Sequence, residues 1–157
     1  MIAKKWFIST GNGCSKTNRL PSFDKALLDA KVGNYNLVRL SSILPAGCER
    51  VDHIDIDEGS LLPTAYSTIT SDVPGDICVS TIGVGIPKDK SKVGVIMEYS
   101  CSGACVCEDA AMETLTKMIE EAFDIRNVEL EEIVSASTSI KVTDGCVCTS
   151  FACIAEW

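Results

Sequence analysis

Helical periodicity occurs at just two places in this chain, and the segments around both are rich in strand-forming residues. The stronger helix is EDAAMETLTKMIEEAFDIR, where Met112, Leu115, Ile119 and Phe123 recur near a period of about 3.6. The other is FDKALLDAKV, with Phe23, Leu27 and Ala30 at helical spacing, Ser22 placed to cap it and Gly33 placed to end it. AKKWFIST reads as a first strand, and GNGCSKTNRLP as a loop broken by Gly11, Asn12, Gly13 and Pro21. NYNLVRLSSILP reads as one strand running to Pro45, and VDHIDIDEG as an edge strand or ordered loop. LLPTAYSTITSD, DICVSTIGVGIP and KVGVIMEYS are strands by composition, with turns at Pro74-Gly75 and KDKSK. CSGACVC is a connector, and NVELEEIVSASTSIKV and CVCTSFACIAEW close the chain around Thr143-Asp144-Gly145. Residues 1–157 suffice for one domain, without repeat or linker. The fold class is α+β: a layered αββα-type sandwich of mainly antiparallel sheets flanked by helices.

The net charge of −8 argues against a nucleic-acid binder, which needs basic surface to neutralise phosphates, and suits a cationic substrate. No apolar stretch is long enough to span a bilayer, and the start lacks a signal-peptide pattern, so a cytoplasmic protein with no membrane partner is expected. Its nine cysteines are then expected to be reduced, and their odd number cannot pair completely within one chain. Cys101, Cys105 and Cys107 form C-x3-C-x-C, which is not a zinc spacing, so small buried packing is expected there and no metal. His53, the single histidine, reads as solvated, and Asp52, Asp55, Asp57 and Glu58 as a solvated acidic edge.

A serine hydroxyl can attack the carbonyl just before it, if a strained turn aligns the two. The step Ser41-Ser42, with Pro45 three residues beyond Ser42, has the residues for this. Its surroundings carry a resemblance. PSFDKALLDAKVGNYNLVRLSSILP, GSLLPTAYSTITSDVPGD and IPKDKSKVGVIMEYS, in that order and spacing, resemble the pyruvoyl-dependent arginine decarboxylases over most of the chain, weakly out to the terminal AEW. The resemblance implies self-cleavage into residues 1–41 and 42–157 and a pyruvoyl group derived from Ser42. That ketone takes up the α-amine of L-arginine and draws in the electrons left as carbon dioxide departs, giving agmatine. It implies that Asn36 stabilises the oxygen charge developing during cleavage. Glu98 returns a proton to the substrate, and Asp24 accepts the guanidinium. Glu98 lies in VGVIMEY, and burial in so uncharged a strand is expected to raise its pKa.

Asn36 lies six residues before Ser42, roughly 20 Å along a straight strand, so it is expected to reach Ser42 of a neighbouring subunit. The resemblance implies a homotrimer with sites between subunits, and leaves open pairing into a dimer of trimers. From the residues alone, Asn36 also reads as a turn amide, Glu98 as a strand-end acid in water, and Asp24 as a first-turn acid favouring the helix dipole. The same chemistry on another amino acid, such as histidine or ornithine, and an unprocessed non-enzymatic homologue stay open on the sequence.

Overall fold

The last strand in the chain is the most buried. In the computed structural model, which describes residues 2–157, β9 (Val147–Glu156) is buried at every position after Val147. A strand covered on both faces needs a near-continuous apolar run, which CTSFACIAE supplies. It pairs antiparallel with β1 (Lys5–Ser15) on one side and β5 (Leu61–Ser71) on the other. β2 (Asn36–Arg39) runs parallel to β5, and β4 (Glu49–Arg50) parallel to β1, giving the order β2-β5-β9-β1-β4. The second sheet is antiparallel, in the order β3 (Ile43–Leu44), β7 (Gly94–Gly103), β6 (Ile77–Pro87), β8 (Leu130–Lys141).

Strand alternation sorts β9 between two cores. Ala152 and Ile154 face the second sheet, where they meet Ile82, Val84 and Ile96 together with Trp6. Phe151, Cys153 and Ala155 face the other way, against Ala26, Ala30 and Val32 in and after helix α1 (Arg19–Asp29). Helix α2 (Glu108–Arg126) lays Leu115, Ile119 and Phe123 on the outer face of the second sheet. The four layers are helix, sheet, sheet, helix, as the pattern implies.

Several local expectations are corrected. GNGCS is strand, because Gly11 and Gly13 lie beneath α1: a Cβ there would come within 2.1 Å of Ala26 O and Ser22 O. These glycines admit the helix rather than break the strand. Asn18 caps α1, its side chain accepting from Arg19 N, while Ser22 sits inside and donates to Arg19 O. Asp24 therefore lies beyond the first turn. Ala30 closes the helix and Lys31, at φ 64°, takes the left-handed turn expected of Gly33. NYNLVRLSSILP is two strands in different sheets, and β7 runs on through CSG. The cysteines are not all reduced: Cys14 and Cys148 form a disulfide. Buried packing describes Cys78 and Cys153, whose thiol burial pushes up to about 12, but Cys105 and Cys107 are exposed. His53 and the nearby acids are exposed on the loop after β4, as expected.

Candidate active site

The site forms where the chain leaves one sheet for the other. β2 ends at Arg39, and the Leu40 amide makes a last bond to Thr64 O on β5 (3.1 Å). Two residues later the Ile96 amide on β7 donates to Ser42 O (2.9 Å), and Ile43 enters register opposite Val95. Between these anchors the backbone turns sharply, and Ser42 is held at φ 117°. That region disfavours any residue with a Cβ, at a cost on the order of 1–3 kcal/mol. The strain falls on the residue whose preceding peptide bond is the expected scissile one. Ser41 is exposed and Ser42 half-buried.

The Ser42 hydroxyl donates to Glu98 Oε2 (3.5 Å). The other oxygen, Glu98 Oε1, accepts from Arg39 Nη2 (3.3 Å). The same nitrogen donates to Tyr66 O (3.1 Å), and the guanidinium lies 4.5 Å from the Tyr66 ring centroid. Tyr66 in turn packs on Phe151. The buried core thus orients an arginine, the arginine a carboxylate, and the carboxylate the hydroxyl of the strained serine. The setting of Glu98 is more polar than its strand neighbours imply: its side chain is 23% exposed and faces a cation.

Ser41, Ser42 and Glu98 come together within one protomer. Asn36 and Asp24 do not join them. Asn36 stands at the far end of β2, its amide donating to Gly59 O (2.6 Å). Asp24 is exposed on α1, on the outer side of the first sheet. Arg39 and Tyr66 escaped the sequence reading. An arginine alone among apolar neighbours, three residues before the serine, was the available signal for Arg39; Tyr66 offered none.

The family model for pyruvoyl-dependent arginine decarboxylase matches residues 5–154. The chain belongs to this family. Relatives named pyruvoyl-dependent arginine decarboxylase agree along nearly its whole length. The protein of Methanococcus vannielii is 42% identical over 149 residues, 94% of this chain and 86% of the relative. That of Methanocaldococcus jannaschii is 44% identical over 139 residues, 88% and 81% of the two chains. That of Thermococcus kodakarensis is 44% identical over 144 residues, 90% and 87%. For a pyruvoyl-dependent family, the prosthetic group must fit the residues present. The residues present fit such a group: Ser42 is held at positive φ with its hydroxyl on the Glu98 carboxylate.

Proposed function

We propose that this chain cleaves itself between Ser41 and Ser42, carries a pyruvoyl group at residue 42, and converts L-arginine to agmatine and carbon dioxide. The observation that carries the reading is Ser42 itself: positive φ, hydroxyl on Glu98, in a chain of this family. In the first step Ser42 Oγ attacks the Ser41 carbonyl carbon while Glu98 Oε2 accepts its proton. The amide C–N bond breaks and an ester forms. Elimination releases the Ser41 carboxylate, and one water hydrolyses the remaining enamine, expelling ammonia. The products are residues 1–41 and a chain from residue 42 capped by a ketone.

Once formed, the pyruvoyl group supplies an electron sink for decarboxylation. Glu98, fixed by Arg39, is the protein's proton donor to the carbon that loses its carboxylate. Asn36 and Asp24 serve a site on a neighbouring subunit in a homotrimer. Helix α1 supports this, because Leu20, Asp24 and Leu28 follow one another at four-residue spacing and all are exposed. A carboxylate between two bare leucines suits a helix face covered by another protomer, presenting Asp24 to a guanidinium.

The intact mass of purified protein, read after reduction with dithiothreitol, tests the first claim. Two fragments are expected, the larger lighter by one ammonia than a serine-started chain. A single full-length species that persists after long incubation and reduction would remove the mechanism. Asp24→Ala should then cut arginine turnover far more than self-cleavage, and unchanged arginine kinetics would overturn the substrate assignment.

A further inference from the structure

Cleavage after residue 41 would distribute the cysteines very unevenly. Cys14 is the only one in residues 1–41, and the other eight lie beyond the cut. Any disulfide made by Cys14 within the protomer therefore joins the two pieces. We propose that the Cys14–Cys148 bridge is a covalent link between the fragments of the processed chain, so that the protomer stays one molecule until a thiol reductant opens it. The proposal rests on the self-cleavage reading above.

The geometry for the link is built into the sheet. Cys14 and Cys148 stand directly opposite in the β1–β9 register, with Cα atoms 4.2 Å apart, and their sulfurs are bonded across the ladder. Their neighbours fix the position. Cys148 is fully buried beside Cys78 and Val142, with Ile69 and Ile140 packed around. The Cys14 side borders a surface groove shared with Lys25 and the half-buried thiol of Cys146, which gives a small thiol a way in. Opening takes two electrons and two protons. One sulfur of dithiothreitol attacks Cys14 Sγ, Cys148 leaves as thiolate and takes up a proton, and the second sulfur displaces Cys14 as the reagent closes to its cyclic disulfide. What the link retains is functional cargo. The small fragment carries β1, α1 and β2, and with them Asp24, Asn36 and Arg39, while Ser42 and Glu98 belong to the large one.

The test uses processed wild-type protein purified without reductant. Free thiols are blocked with iodoacetamide in guanidinium, and the mass is read with and without prior dithiothreitol. One linked species is expected without reductant, resolving after reduction into pieces of 41 and 116 residues (157 − 41 = 116). A peptide map should place the link at Cys14–Cys148. Cys14→Ser should process normally and come apart with no reductant. Two separate fragments before reduction, with Cys14 alkylated, would overturn the link but leave self-cleavage standing. So would a link to any cysteine other than Cys148. A chain that remains whole after reduction would instead overturn the self-cleavage reading, and the link between fragments with it.

Discussion

β9 and the crossing from Leu40 to Ile43 meet at one groove of about 550 Å³, and they treat their backbones in opposite ways. β9 has a partner strand on each side and buries nearly every residue. The crossing has one amide bonded at Leu40, one carbonyl at Ser42, and an exposed residue between. Strain can be imposed on Ser42 because the strands that hold the crossing, β5 and β7, are already fixed by their other neighbours. The peptide bond there can also be given up cheaply, since so little of the sheet hydrogen bonding runs through it. A rigid interior and an expendable bond are two parts of one design.

The sharpest way to break this contrast is at the serine. Ser42→Ala should abolish fragment formation and agmatine production while leaving the unfolding midpoint nearly unchanged. Ser42→Gly should block processing equally but stabilise the uncut chain by on the order of 1 kcal/mol, because glycine tolerates φ 117°. A midpoint that rises sharply in Ser42→Ala, which keeps the bond that processed wild type has lost, would mean that the crossing holds the fold together after all.

On the rigid side, Phe151→Ala should cost about 3–5 kcal/mol in denaturant unfolding. The ring is fully buried against Phe23 and Tyr66. A loss under about 1 kcal/mol would show that β9 is not the anchor described.

Glu156 tests the place where the two regions touch. It ends β9 beneath Leu40 and Ile43, and burial raises its carboxyl from 4.5 to about 7. The unfolded chain ionises first, so the contribution of Glu156 is full below pH 4.5 and is lost as pH rises towards about 7. Glu156→Gln should flatten that decline by on the order of 2 kcal/mol. Parallel pH–stability curves for variant and wild type would exclude the effect.

The smallest expected change belongs to Arg39→Gln. The Arg39 side chain is 55% exposed, and such pairs contribute at most about 1 kcal/mol, so processing should slow by up to about fivefold. A hundredfold loss in single-turnover cleavage would mean that Arg39 does more than orient Glu98.

Much of this fold was legible because burial leaves a period in the sequence. α2 has the bounds its apolar spacing predicts, and β6 and β9 announce themselves as apolar runs. Close approach leaves no such period, so Gly11 and Gly13 looked like breakers when they were clearances for a helix. The break at Leu40–Ser42 was hidden for a related reason: strand formers such as Val38 and Ile43 flank it on both sides, and only tertiary pairing assigns them to different sheets. The Cys14–Cys148 contact spans 134 residues and has no local signature. Ser42 and Glu98, which the motif singled out, stand within hydrogen-bond reach of each other in the fold. Arg39 reaches Glu98 only once the two sheets pack face to face, which no single segment reveals.

The place of β9 also has a consequence in time. It leaves the ribosome after the eight other strands described, yet it lies between β1 and β5, which make no ladder with each other. Until residues 147–156 emerge, the strand pairing of β1 is limited to the two-residue ladder with β4, and the first sheet exists as two halves. The crossing cannot be drawn taut between half-built supports. Synthesis therefore carries its own safety catch, since the proposed cleavage has to wait for residues 147–156.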